Sequence, residues 1–150
     1  MFINPLAVDR NLDIAYSNAN ASSSTSIVLN RVSGLASVPL SLTRTQLTIA
    51  SVAAGEFVTD ILVSPYTTAS STLFIGLSSG KLYKVTNADT TPVTSLINYN
   101  FGGYISDVKL GASESEIMVT ISNFNKTSVF YTTDAGTTWV SKEGIFRISC

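Results

Sequence analysis

Hydrophobic positions along the chain fall in short runs separated by polar clusters. Ile27-Val28-Leu29, Leu47-Thr48-Ile49, Ile61-Leu62-Val63 and Leu73-Phe74-Ile75 are of this kind. So are Lys81-Leu82-Tyr83-Lys84-Val85, Ile117-Met118-Val119-Thr120-Ile121 and Ser128-Val129-Phe130-Tyr131. Each run is rich in β-branched or aromatic residues and is bounded by Ser, Gly, Asn or Thr, which reads as strand and turn. Along Lys81 to Val85 successive side chains go to opposite faces, as a pleat demands. No window carries a helical i, i+3, i+4, i+7 stripe with a cap. Residues 33–54 have some helical spacing, but Pro39 and several β-branched residues oppose it. The pattern predicts an all-β chain.

The runs also repeat. Thr59-Asp60-Ile61-Leu62-Val63-Ser64-Pro65 matches Ser106-Asp107-Val108-Lys109-Leu110-Gly111-Ala112 at an offset of 47. The same offset aligns Leu82-Tyr83-Lys84-Val85-Thr86-Asn87-Ala88 with Val129-Phe130-Tyr131-Thr132-Thr133-Asp134-Ala135. An earlier copy runs from Asn4-Pro5-Leu6-Ala7-Val8-Asp9 through Ile14-Ala15-Tyr16-Ser17 to Ser26-Ile27-Val28-Leu29-Asn30. A fourth strand is expected near Thr45–Ala50, Pro92–Ile97 and Thr138–Lys142. Four strands in a period of about 45 to 55 residues is the pattern of a propeller blade. The expected blades span residues 3–55, 56–103 and 104–144, with a tail at 145–150.

The third copy ends in Thr132-Thr133-Asp134-Ala135-Gly136-Thr137-Thr138-Trp139. Its chemistry suits a tight turn. Asp134 can accept backbone N–H bonds two residues on, and Gly136 supplies a positive φ without steric cost. Thr132 and Thr138 flank the turn, and Trp139 can pack beneath it with its N–H on a nearby carbonyl. This segment resembles the Asp-box, Ser/Thr-x-Asp-x-Gly-x-Thr-Trp, of sialidase- and sortilin-type (BNR-type) propellers. In the second copy Asn87-Ala88-Asp89 holds the same hairpin without Gly or Trp. Gly76-Leu77-Ser78-Ser79-Gly80-Lys81-Leu82-Tyr83-Lys84 and Gly144 are likewise similar to blades of large secreted Bacteroidetes proteins with C-terminal sorting domains. The resemblance spans most of residues 4–144, and its one specific motif is the Asp-box. Ile145-Phe146-Arg147-Ile148-Ser149-Cys150 departs from it. Three blades do not close a ring, since propellers use four or more. The resemblance therefore implies an incomplete ring, with further blades of the same parent chain; the alternatives are a small self-associating propeller or a plain β-sandwich.

Composition narrows the function. There are 22 Ser and 18 Thr but only 13% charged residues, and net charge is -1. Nucleic acid or an anionic membrane would call for clustered basic residues. There is no His and a single Cys, Cys150, so the usual general base, a thiolate metal site and a disulfide framework are all excluded. No metal and no cofactor is expected. No stretch is long and apolar enough for a transmembrane segment. Met1-Phe2-Ile3-Asn4-Pro5 lacks the basic and apolar regions of a signal peptide; a secreted or cell-surface location is implied by the resemblance alone.

Candidate chemistry divides into acids and aromatics. Sialidases use three arginines, a Tyr–Glu pair and an Asp. Here Arg10, Arg31, Arg44, Arg147 and Glu56, Glu114, Glu116, Glu143 sit in no such context, and Phe146-Arg147-Ile148-Ser149 resembles a sialidase element only superficially. Xyloglucanase-like hydrolases use a carboxylate pair about 5 to 10 Å apart. Asp60 and Asp107, at equivalent positions of adjacent blades, are the catalytic candidates. The structural alternative is that each caps its own loop. Tyr66, Tyr99, Phe101, Tyr104 and Phe124 are candidate binding aromatics, densest in Asn98-Tyr99-Asn100-Phe101-Gly102-Gly103-Tyr104; otherwise Phe101 and Tyr104 fill the core between blades. Gly102-Gly103 is followed by no helix or Lys-Ser/Thr and is not a phosphate cradle. Asn20-Ala21-Ser22 and Asn125-Lys126-Thr127 match a glycosylation sequon. The expectation is a non-catalytic recognition or scaffold module binding proteins or glycans. The alternative is a fragment of a propeller glycoside hydrolase.

Overall fold

Short apolar runs broken by Ser, Gly, Asn and Pro cannot sustain a helix, and they pair as strands. The computed structural model describes residues 4–20, 24–123 and 126–142, with twelve strands and no helix among them. The first sheet contains β1 (Leu6–Asp9), β2 (Ile14–Asn18), β3 (Ser26–Ser33) and β4 (Thr43–Ser51). The second contains β5 (Val58–Val63), β6 (Leu73–Leu77), β7 (Leu82–Thr86) and β8 (Val93–Ile97). The third contains β9 (Tyr104–Leu110), β10 (Ile117–Ser122), β11 (Val129–Thr132) and β12 (Val140–Ser141). Strand order in every sheet follows the chain, and all pairs are antiparallel. These are three blade-like sheets, as in a propeller, and among the described residues they do not close a ring. Phe124, the Asn20 and Asn125 sequons, Glu143, Gly144 and the 145–150 tail fall wholly or partly outside the described residues.

The sheets stack because the middle one is apolar on both faces. Every residue of β6 is buried. Leu73, Ile75 and Leu77 join one core with Ile14, Tyr16 and Leu29 of the first sheet. Phe74, one step out of phase, joins a second core with Ile105, Val108 and Val119 of the third. Each fully buried large side chain contributes about 1.5–3 kcal/mol. Gly76 completes that second face. A Cβ there would lie 2.5 Å from the Ile105 side chain, so the absence of a side chain sets the sheet spacing.

The repeated Ser/Thr-Asp dipeptide marks a β-bulge. In β5 the register moves from Val58 opposite Leu77 to Asp60 opposite Gly76, leaving Thr59 unpaired. In β9 it moves from Ile105 opposite Ile121 to Asp107 opposite Thr120, leaving Ser106 unpaired. An extra residue shifts the alternation of the strand and re-aims the side chains beyond it. Val58 and Ile61 therefore both face the first core while Asp60 lies between them, and Ile105 and Val108 flank Asp107 likewise.

Two strand boundaries differ from the expectation. The strand expected over residues 45–50 runs longer, from Thr43 to Ser51. The one expected over residues 138–142 shrinks to Val140–Ser141. The turn after β11 draws Thr138 and Trp139 into its own hydrogen bonds and so delays the last strand.

Candidate functional site

Asp60 and Asp107 do not form a matched pair. The Asp60 carboxylate Oδ2 accepts the backbone N–H of Val108, in β9 of the next sheet, at 2.8 Å. Burial pushes its carboxyl up and the nearby Asp107 charge adds to that; the Val108 N–H and Lys109 oppose it, and the net shift is upward. The Asp107 side chain is 44% exposed and its carboxylate pairs with Lys109. The expectation that each Asp caps the loop of its own blade is corrected for Asp60, which reaches across the junction. The bulge at Thr59 aims it there.

The segment after β11 is a fully wired turn. The Thr132 hydroxyl donates to Asp134 Oδ1 at 2.7 Å and accepts the N–H groups of Asp134 and Gly136 at 3.3 and 3.1 Å. Asp134 Oδ1 also accepts the Thr138 N–H at 2.8 Å, and Oδ2 accepts the Thr138 hydroxyl at 2.6 Å. Its reach is thus four residues, beyond the two expected, and hydroxyls join the backbone as its donors. Ala135 and Gly136 both have positive φ, 58° and 91°. Trp139 Nε1 donates to the Gly136 carbonyl at 3.0 Å. The Thr132, Thr138 and backbone donors hold the Asp134 carboxyl down at about 2. With all these bonds made inside one loop, the carboxylate is a structural group.

The aromatics separate into two environments. Phe101 is 4% exposed, so its ring is unavailable to a ligand, which corrects its candidacy for binding. It packs edge-on against Trp139 at 4.8 Å and Phe130 at 5.3 Å between centroids. Tyr99 is half-buried on the same cluster, 4.8 Å from Phe101 and 5.7 Å from Trp139. Tyr104 is 47% exposed and meets Phe57 edge-on, so it does not fill the core between blades. Tyr66 is equally exposed, and its hydroxyl donates to the Gly111 carbonyl.

Sequence reasoning missed the polar groups that fasten adjacent sheets. At the first junction the Ser71 hydroxyl donates to Asp9 Oδ2 at 2.7 Å, and Arg31 Nη1 donates to the carbonyls of Ala88 and Thr90 at 3.2 Å. At the second, Glu114 accepts from Ser64 and Thr67 and pairs with Lys84 at 2.7 Å. The hydroxyls and their acids are 47 to 62 positions apart in the chain and carry no local signature.

One end of the second sheet gathers three connections into a shallow cavity of about 410 Å³. Glu56 comes from the chain entering β5, Ser79, Gly80 and Lys81 from the β6–β7 turn, and Asn98, Tyr99 and Asn100 from the chain leaving β8. Glu56 and Lys81 form an ion pair at 2.9 Å. Leu96, Ile97 and Asn98 also line an adjoining depression of about 460 Å³ that ends at Ala135–Thr137. Among the described residues no group of three His, Cys, Asp or Glu is placed to hold a metal ion, and no helix is long and apolar enough to cross a membrane. No family model, curated protein or solved structure matches the chain.

Proposed function

We propose that the chain is part of an Asp-box-type propeller of a secreted or cell-surface protein, serving as a non-catalytic recognition or scaffold module for proteins or glycans. The observation that carries this reading is the engagement of the acids. Asp60 is tied to the Val108 N–H, Asp107 to Lys109 and Asp134 to its own turn. A general acid or base has to reach the proton it transfers, and these carboxylates are occupied with structural donors.

Further blades of the same parent chain fit the uncovered face of the third sheet. Tyr16 pairs with Arg31 in the first sheet, Phe74 with Lys84 in the second, and Met118 with Tyr131 in the third. Tyr16 and Phe74 are completely buried by the next sheet, whereas Met118 is 40% exposed. Asp107 stands on the third sheet where Asp60 stands on the second, with no following sheet among the described residues for it to reach.

The hydrolase reading is favoured by one observation. The carboxyl of Asp60 is raised by burial, with the Asp107 charge adding to the shift, the direction a general acid requires. Hydrolysis of β-glucan, xyloglucan and sialoside substrates by the parent protein and its Asp107→Asn variant separates the two. Absence of turnover, or turnover unchanged in the variant, supports recognition; turnover abolished by the substitution establishes the hydrolase.

A further inference from the structure

The geometry points to the cavity at the end of the second sheet, continued by the depression beside β8, as a binding groove for a neutral oligosaccharide. This rests on the reading of the chain as a recognition module and names a ligand class and a place for it.

The groove is built before any ligand arrives. The Phe57 N–H donates to the Ser78 hydroxyl at 3.1 Å, and the Ser78 N–H to the Phe57 carbonyl at 3.0 Å, joining two of its walls. Gly80 lies so close to Gly102 and Gly103 that a Cβ would sit 2.8 Å from the Gly103 oxygen. The third wall is thereby seated on the second. Asn100 Oδ1 accepts the Gly102 N–H at 2.9 Å, and Tyr99 is held by Phe101, Phe130 and Trp139. A site fixed in this way loses little conformational freedom on binding.

Its chemistry selects against charge. Both lysines that line it are spoken for, Lys81 by Glu56 at 2.9 Å and Lys84 by Glu114 at 2.7 Å. The Glu56 charge is cancelled by the same pair. An anionic ligand would find no uncommitted cation among the lining residues, and a cation no uncommitted acid. The groove instead offers amides and hydroxyls from Asn98, Asn100, Ser79 and Ser95, with Leu96, 47% exposed, between the two depressions. The exposed amide of Asn98 is engaged by no hydrogen bond among the described residues, and it lines both depressions. An amide both donates and accepts, which matches vicinal hydroxyls. Leu96 gives a sugar ring an apolar face to lie on. A protein partner would seek a deep apolar anchor pocket, and both depressions are open, with amides and hydroxyls interleaved among their apolar groups. The joined depressions span more than one binding position, which favours a chain of sugars.

The test is an NMR titration of the isotope-labelled chain with cellotetraose, xylotetraose and the N-acetylglucosamine tetramer, with sialyllactose as the charged comparison. At least one neutral probe is expected to shift the amide signals of Ser79–Lys81 and Asn98–Asn100 saturably, while sialyllactose does not. Asn98→Ala should weaken that probe about tenfold and leave the melting temperature unchanged, since the side chain holds nothing in place. Three outcomes overturn the inference: no saturable shift at these amides with any neutral probe, tighter binding of sialyllactose, or full affinity in Asn98→Ala. Saturable binding that maps to other residues would also sink the groove while leaving the recognition reading intact. Turnover of a probe would instead sink the recognition reading.

Discussion

The Ser64 hydroxyl donates to the Glu114 carboxylate at 2.5 Å, across the junction between the second and third sheets. At the junction before it, Ser71 donates to Asp9, with the acid on the preceding sheet and the hydroxyl on the following one. The same joint is thus made twice with its partners exchanged. Glu114 also takes Thr67 and Lys84, so one carboxylate gathers three donors from the second sheet and its β5–β6 loop. Partial burial raises its pKa, but Lys84, Ser64 and Thr67 outweigh that, and the carboxyl titrates below the ordinary range. The stabilisation is therefore complete above the unfolded carboxyl's pKa and lost as pH falls through the lower folded one. Glu114→Ala should cost about 1–3 kcal/mol, since it leaves three donors without their acceptor. Thermal melts from pH 7 down to 3 check this: the gap between wild type and variant should be largest at neutral pH and close in acid.

The turn from Thr132 to Trp139 carries its own reporter, because Trp139 is the single Trp of the chain. Gly136 has φ 91°, and a Cβ there would collide with the Ile97 side chain. Gly136→Val should destabilise the protein by about 2–4 kcal/mol, from backbone strain and overpacking together. Trp139 emission followed through urea unfolding measures it, and an unchanged midpoint would refute the strain assigned to this turn.

Acid should loosen the same turn. The Asp134 carboxyl is held down at about 2 by the Thr132 and Thr138 donors. Its contribution is present above the ordinary carboxyl value, about 3.9, and disappears as pH falls toward about 2. Trp139 emission should change over that interval in the wild type and stay flat in Asp134→Asn. A variant that titrates like the wild type would assign the transition to another group.

The ease of reading sheets and turn from sequence, and the failure to read the junctions, have one physical cause. A strand announces itself within five residues by alternation, and the Thr132–Trp139 turn closes its Asp134, Thr132 and Trp139 side-chain bonds within eight. Asp60 reads as a local cap because Asp commonly bonds its own loop. Only the bulge at Thr59, a register property, sends it to Val108. Phe101, in the loop, and Tyr104, the first residue of β9, are three residues apart, yet one is buried in the core of the third sheet and the other exposed. Ser64, Lys84 and Glu114 are ordinary polar residue types until the spacing of two sheets brings them together.

That spacing is set in part by Gly76. A Cβ at Gly76 would press on Ile105 Cγ2 and Cβ, at 2.5 and 3.0 Å. Both residues are buried, so the added atom cannot be avoided by rotation into solvent. Gly76→Ala should cost about 1–3 kcal/mol. If the cost comes from this contact, trimming Ile105 to Ala, which removes Cγ2, relieves most of it, and the double variant falls short of additivity. Denaturant midpoints of the two single variants and the double variant decide the matter. Additive losses would place the strain elsewhere.

Asp60 brings two opposing effects to one carboxylate. Its acceptor oxygen satisfies the Val108 N–H, while burial and the Asp107 charge make the ionised form expensive. A carboxyl raised in the folded state binds its proton more tightly there than when unfolded. The penalty is absent below the unfolded pKa and grows as pH rises through the interval up to the folded one. Asn keeps an acceptor oxygen of the same reach without the charge. Asp60→Asn should accordingly be as stable as the wild type or more so at pH 7, with the difference vanishing in acid. Asp60→Ala removes the acceptor and leaves the Val108 N–H buried alone, at a cost of about 1–3 kcal/mol. Melting temperatures of both variants at pH 7 and pH 3.5 separate the terms. If Asp60→Asn is as damaging as Asp60→Ala at pH 7, the charge itself holds the junction, and the acceptor role assigned to Asp60 Oδ2 toward the Val108 N–H is not sufficient.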